Sequence, residues 1–255
     1  MKSPRTLFAT FAGWLAITTA VGAQTAANNP SPSTDAIVLS PFEVAAGQDN
    51  GYAASGTLAG TRLRTDLRDV PASISVVTKQ FMDDVGATNL EGLLTYTLGT
   101  EVFGLGGNFS NHGLDGNFTD VISQLRGAQG ATRVRGIGSA DQTRDFFITS
   151  AAMDGYNTER VEINRGPNAI LFGLGNAAGI INTGLIKAQT NQTRTKVENQ
   201  LGQHGTHRLS LDHNQVLIKD RLALRVATLY GDKRYQLKPA YVRDERIFGD
   251  RKSVV

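Results

Sequence analysis

The sequence predicts an α+β domain followed by the first antiparallel strands of a transmembrane β-barrel, a barrel that is incomplete in this chain. Three observations carry the prediction. Between about residues 50 and 190, short β-prone runs alternate with two capped helical stretches and many Gly and Pro turns. After Gln192 the pattern changes to runs of about nine to thirteen residues in which apolar and polar side chains alternate, as a lipid-facing strand requires. The charge changes at the same place: residues 24–192 hold 11 Lys/Arg against 16 Asp/Glu, whereas residues 193–255 hold 13 against 7. A soluble antiparallel sandwich shares the alternation, so periodicity alone leaves that architecture open.

The N-terminus reads as an export signal. Lys2 and Arg5 precede an apolar run from Leu7 to Val21, and Val21-Gly22-Ala23 supplies a small-x-small cleavage site before Gln24. The run is shorter than the roughly 20 residues a membrane-spanning helix needs. The 255 residues contain no cysteine, which excludes a disulfide framework, Cys-ligated metal sites and thiol catalysis. A net charge of +3 with no long basic run gives no basis for a nucleic-acid partner.

Residues 24–34 are small and polar with two prolines and read as a mobile tail. The following run, Asp35-Ala36-Ile37-Val38-Leu39-Ser40-Pro41, is β-prone. It suits either an edge strand, which tolerates Pro41, or a strand offered to a partner's sheet edge. Tyr52–Thr61 is expected to be extended, and Ile74 and Val76 lie on one face of a strand with Val77 on the other. Thr78 is placed to cap a helix over Lys79–Val85 that Gly86 stops. Thr88-Asn89-Leu90-Glu91 reads as a capping box opening a second helix, apolar at Leu90, Leu93 and Leu94.

Phe103–Thr119 is a Gly- and Asn-rich loop of a length that points to function. Val121–Arg126 and Thr132–Gly136 read as short strands. In Thr158–Asn164 the alternation places Val161 and Ile163 inward and Arg160 and Glu162 outward. Arg165-Gly166-Pro167 turns the chain into a short helix over Asn168–Phe172, and Gly179–Thr183 resumes a strand. Three long strands follow, Thr193–Leu201, Thr206–Ile218 and Leu222–Tyr230, joined by turns at Gly202–Gly205 and Lys219–Arg221.

Catalytic constellations find no support. His204 and His207 have the spacing of a metal pair but no carboxylate at a diagnostic distance in sequence, and read as surface histidines. Gly173, Gly175 and Gly179 follow a helix rather than a strand, unlike a dinucleotide loop. The expectation is a protein that is not an enzyme and carries no cofactor or metal.

The run Tyr156-Asn157-Thr158-Glu159-Arg160-Val161-Glu162-Ile163-Asn164-Arg165-Gly166-Pro167-Asn168-Ala169-Ile170-Leu171-Phe172-Gly173 resembles the plug domain of TonB-dependent outer-membrane receptors, whose pattern is E-R-[VI]-E-[VI]-x-R-G-P-x-x-[VIL]-L-[YF]-G. Asp69–Val77, Val134-Arg135-Gly136 and Gly179–Asn182 are similar to further plug segments, and Asp35–Pro41 to the TonB box. Two positions depart from the pattern: Ala178-Gly179 stands where Gly-Gly is usual, and Pro41 ends the box.

The resemblance implies a cleaved signal peptide at 1–23, a periplasmic tail with the TonB box at 24–50, a plug at 51–192 and the start of a β-barrel at 193–255. It implies residence in the outer membrane and a barrel of about 22 strands around the plug. TonB of the inner membrane is the implied partner, pairing with Asp35, Ala36, Ile37, Val38, Leu39 and Ser40 to deliver mechanical work. Arg135 and Arg165 match plug arginines that bind barrel carboxylates, while Asn108, Phe109, His112 and Arg144 fall in segments expected to meet substrate. The implied function is energised uptake of a scarce small chelate, with a ferric siderophore as the first expectation. About a dozen residues separate Ala23 from the box, which leaves no room there for a periplasmic signalling domain.

Residues 193–255 supply about four strands, too few to close a barrel, and an open sheet in lipid leaves its edges unpaired. The chain is therefore expected to be the N-terminal part of a longer receptor. The alternative is a stand-alone periplasmic plug-like binding protein without transport activity.

Overall fold

The computed structural model describes residues 49–59, 63–102, 132–166 and 177–254. The expected signal peptide, the TonB-box-like run, the Gly/Asn loop, the strand expected at Val121–Arg126 and the helix expected at Asn168–Phe172 lie outside them.

The first domain is built on a mixed sheet. Its strands β3 (Ile74–Thr78), β6 (Asp141–Arg144), β7 (Phe147–Ile148), β8 (Thr158–Arg165) and β9 (Gly179–Leu185) run in the order β3-β8-β9-β6-β7. Only β6 and β9 pair in parallel. Two small ribbons complete it: β1 (Gly56–Thr57) with β2 (Thr65–Asp66), and β4 (Thr100–Val102) with β5 (Thr132–Val134). Gly179 opens β9 at φ +117, and a Cβ there would lie 2.0 Å from the Asn164 carbonyl oxygen. Only glycine allows the two strands this approach.

Helices α1 (Lys79–Asp84) and α2 (Leu90–Leu94) cover one face of the sheet. Thr78 caps α1 as expected, its Oγ1 accepting from the Phe81 amide at 3.3 Å. The second cap is one residue later than the capping-box reading placed it. Asn89, not Thr88, accepts from the Gly92 amide at 2.9 Å, and the Thr88 carbonyl instead takes the Gly155 amide. With the cap at Asn89, the third helical position is Gly92, so Glu91 has no reciprocal bond to make. Met82, Leu93, Leu94, Val161, Ile163 and Ile181 close the apolar layer between helices and sheet, each at most 1% exposed. Burying each such side chain contributes about 1.5–3 kcal/mol.

The other face of the sheet is also covered, which overturns the outward assignment of Arg160 and Glu162. They are 5% and 3% exposed, because β8 is an inner strand and residues 49–59 lie across its polar side. Alternation separated the two faces of the strand correctly but could not say that both were buried.

Strands β10 (Arg194–Leu201), β11 (His207–Ile218), β12 (Leu222–Arg234) and β13 (Tyr241–Ser253) form an antiparallel meander in chain order. The turns fall where expected, with His204 and Asp220 at φ of 60 and 59. β12 continues four residues past Tyr230, and β13 was not foreseen because its run Arg243-Asp244-Glu245-Arg246 breaks the apolar alternation. The register aligns Val197, Leu211, Thr228 and Ile247 across one face, and Lys196, Asp212, Ala227 and Phe248 across the other.

The apolar face is the uncovered one: Val197, Leu201 and Ile247 are 62%, 79% and 78% exposed. The charged face packs on the α+β domain. A soluble sandwich has the reverse arrangement, so the structure resolves the alternative that periodicity left open. No described helix is long and apolar enough to cross a membrane.

Candidate functional site

The chemistry of the described residues is concentrated in the seam between the α+β domain and the charged face of β10–β13. At its centre is Asp154, on the turn that enters β8. Its Oδ1 accepts from the Tyr156 amide at 3.1 Å, capping the 3-10 turn Gly155–Asn157. The same carboxylate receives Arg208 of β11 through both terminal nitrogens and Arg246 of β13 at 3.3 Å. The Asp154 side chain is 8% exposed, so two strands are clasped by one buried acid of the domain. Arg208 and Arg246 are 20% and 33% exposed, and Arg246 also holds Asp244 at 3.0 Å, so neutralising Asp154 withdraws the shared acid from both while Arg246 keeps a second partner.

A second set fixes the connector into β10. The Ala188 amide donates to Asp250 Oδ2 at 2.7 Å, and the Gln189 amide to Asn214 Oδ1 at 2.8 Å. The Asn214 amide returns bonds to the Gln189 and Gln192 carbonyls at 2.8 and 2.6 Å. Arg225, bidentate on Asp212 at 2.8 and 2.6 Å, also donates to the Lys187 carbonyl at 2.9 Å. Near α1, Lys196 reaches Asp83 at 2.8 Å and Glu198 at 2.6 Å. Partial burial on its own would raise the Asp83 pKa, but its bonds and proximity to Lys196 and Lys79 outweigh this and hold it below the usual carboxylate value.

Arg135 and Arg165 lie near one another in the structure. Arg165 ends β8 and donates to Ser75 Oγ at 2.7 Å and to the Leu98 carbonyl at 2.6 Å. Arg135 sits on the turn after β5 at φ 54, and its Nη1 lies 3.2 Å from where a Cβ on Gly166 would stand. Burial and the neighbouring Arg135 charge lower the Arg165 pKa from its ordinary value. Among the described residues no carboxylate pairs with either guanidinium.

Arg144 ends β6, with its Nη2 on the Ala152 carbonyl at 2.9 Å. The hairpin beyond it presents Phe147 and Ile148, 78% and 56% exposed. Asn108, Phe109, His112 and Asp35–Ser40 lie outside the described residues. His213 and His207 hydrogen-bond Thr195 and Asn199 across the strand pair β10–β11. Asp154, Arg208 and Arg246 were not singled out from sequence. The signal that locates them was present all the same: an acidic first part and a basic second part meet in this seam.

A domain fastened by charge to the inner side of a sheet whose outer side is apolar is the arrangement of a plug and the wall that encloses it. Residues 66–180 match the TonB-dependent receptor plug domain, so the chain carries a plug of the TonB-dependent receptor type. The ferripyoverdine receptor of Pseudomonas aeruginosa is 29% identical over 188 residues, which are 73% of this chain and 22% of that protein. The catecholate siderophore receptor Fiu of Escherichia coli K12 is 30% identical over 190 residues, 74% of this chain and 23% of that protein. The chain thus spans about a quarter of the length of the curated relatives it matches. Among solved structures, the pyoverdine outer-membrane receptor FpvA of P. aeruginosa bound to pyoverdine shares the fold at a TM-score of 0.69. It is 20% identical, with 86% of this chain and 31% of that chain covered. The alcaligin outer-membrane receptor FauA of Bordetella pertussis gives 0.61 at 20% identity, covering 78% and 32%.

Proposed function

We propose that this chain is the plug and leading wall of an energised outer-membrane importer of a ferric siderophore. The observation that carries the reading is the polarity of the β10–β13 sheet, apolar and uncovered outside, charged and fastened to the plug inside. That polarity suits a wall between lipid and plug and disfavours a stand-alone soluble binding protein, which would leave Val197, Leu201 and Ile247 in water.

In this reading the signal peptide at 1–23 is cleaved on export, and the extended run Asp35–Ser40 pairs with TonB as an added strand. The proton-motive force of the inner membrane then reaches the plug as a pull. Arg135 and Arg165, two adjacent cations whose mutual repulsion needs an acid, receive carboxylates from further wall strands and lock the plug until it is pulled. Asn108, Phe109, His112 and Arg144 meet the chelate from the plug side.

The test is uptake of radioactive iron supplied on hydroxamate and catecholate chelators to cells whose only such receptor is this one. Deleting residues 35–40 is expected to abolish energised uptake while leaving the receptor in the outer-membrane fraction. Unchanged uptake after the deletion overturns the coupling assignment, and recovery of the protein from the soluble periplasm overturns the importer itself.

A further inference from the structure

The polar side of the plug sheet holds three buried charges that neither the wall contacts nor the Arg135–Arg165 pair uses. The segment 49–59 lies over this side, with Thr57 and Ala59 at 0% and 2% exposure. The side chains of Asp49, Arg160 and Glu162 are 5%, 5% and 3% exposed. Arg160 Nη1 stands 3.5 Å from Asp49 Oδ2, and its Nε stands 3.4 Å from Glu162 Oε1. Its short hydrogen bond goes elsewhere, to the Gly56 carbonyl at 2.7 Å.

One cation therefore serves two carboxylates, and neither pair has hydrogen-bond geometry. Asp49 Oδ2, Arg160 Nε and Nη1 and Glu162 Oε2 are buried without a hydrogen-bond partner among the described residues. Unbonded buried polar atoms are expensive, and water satisfies them once the layer opens. The apolar side of the sheet has no comparable weakness, since exposing Val161, Ile163 or Ile181 brings no such recovery.

We propose that Asp49 is the latch of the plug, the residue through which the chain arriving from the N-terminal side is fastened to Arg160 and, among the described residues, the first contact a pull on that chain breaks. The inference rests on the importer reading, because the pull is the one assigned to residues 35–40, and Asp49 follows Ser40 by nine positions. Asp49 is a positioning residue and touches no substrate.

The two acids compete for one guanidinium, so neutralising them has opposite consequences. Without the Asp49 charge, Arg160 and Glu162 form a balanced pair and segment 49–59 loses its hold. Without the Glu162 charge, Asp49 and Arg160 form the balanced pair, the repulsion between the acids ends and the segment is held more tightly. The groups facing Glu162 are Arg160 on its own strand, Asp49 and Thr57 from the overlying segment, Asn182 from β9 and the apolar Val76 from β3. Burial raises the Glu162 pKa, and Asp49 adds to the rise against the opposing pull of Arg160. The latched state thus binds this proton more tightly than the open one. Latching is favoured below the ordinary carboxylate pKa and weakens as pH rises through the raised value.

The test is hydrogen–deuterium exchange of residues 50–59 in the native receptor in outer-membrane vesicles, without chelate or an energy source. Asp49→Asn is expected to speed exchange of this segment on the order of tenfold, and Glu162→Gln to slow it several-fold. Glu162→Gln also abolishes the loosening that raised pH produces in the unaltered protein. Exchange of β9 residues 180–183 reports that the sheet stays intact in both variants. If both substitutions loosen the segment, or neither changes it, the latch is overturned and the charges serve general stability only. Because the measurement needs no transport, its outcome is separate from that of the tail deletion.

Discussion

Asp154 shows how much one side chain decides here. It caps a turn, takes the side chain of Thr158 on its backbone carbonyl at 2.7 Å and holds Arg208 and Arg246. Asp154→Asn preserves the size and the capping oxygen but removes the charge, leaving two guanidiniums facing a neutral amide. The expected destabilisation of the plug in its wall is about 2–5 kcal/mol, the range for unpairing partly buried charges. Urea titration of plug proteolysis in outer-membrane vesicles reads it as a lowered midpoint. A midpoint equal to that of the unaltered receptor means the wall holds the plug without this contact. Sequence inspection passed over Asp154 because an Asp before a Gly reads as an ordinary turn. Only its neighbours in space make it more.

At the scale of the element, β12 shows what alternation can and cannot report. Leu224 and Val226 belong to its uncovered face, while Arg225 and Ala227 face the plug. A cation on the lipid side near mid-bilayer is costly, about 2–4 kcal/mol for Arg or Lys. Val226→Arg is therefore expected to reduce the amount of receptor assembled in the outer membrane, whereas Ala223→Ser on the plug-facing side leaves assembly unchanged. Heat-modifiability of the assembled receptor on gels checks both, and equal assembly of the two variants would remove the case for a lipid-facing sheet. The strand's identity and its two faces were legible from period-two patterning. Its last four residues and the whole of β13 were not, because near the strand ends charges appear on both faces and the alternation disappears.

Across the whole molecule, electrostatics fasten an acidic plug to a basic wall, and acid separates the contributions. The Asp83–Lys196 contact has its carboxylate pKa lowered, so what it contributes is present above the ordinary Asp value, near pH 4, and is lost as pH falls through the lowered native value. Glu162 has the opposite sign, with its proton favouring the latched plug. Acidification is thus expected to loosen the plug from its wall while tightening segment 49–59 on the sheet. Exchange measured across a pH series, corrected for intrinsic amide chemistry, should show residues around Asp83 and residues 50–59 moving in opposite directions. Parallel movement of the two regions would mean that a single cooperative unfolding event governs both.

Sequence by itself determined the class of the protein. The dyad strands after Gln192 and the reversal of charge at that boundary are local or compositional properties that mark an α+β unit joined to a sheet with one apolar face, and the resemblance of the Glu159–Gly173 run to a known motif makes that unit a plug. The same resemblance put Arg135 and Arg165 forward as the expected link between plug and barrel. Tertiary structure decided the rest: that both faces of β8 are buried, that Asp154 meets Arg208 and Arg246 of the first wall strands, and that Asp49 shares Arg160 with Glu162. The contacts Asp154–Arg208, Asp154–Arg246 and Asp49–Arg160 join residues 54, 92 and 111 positions apart, and pairing over such separations is set by how elements pack rather than by the period of any one of them.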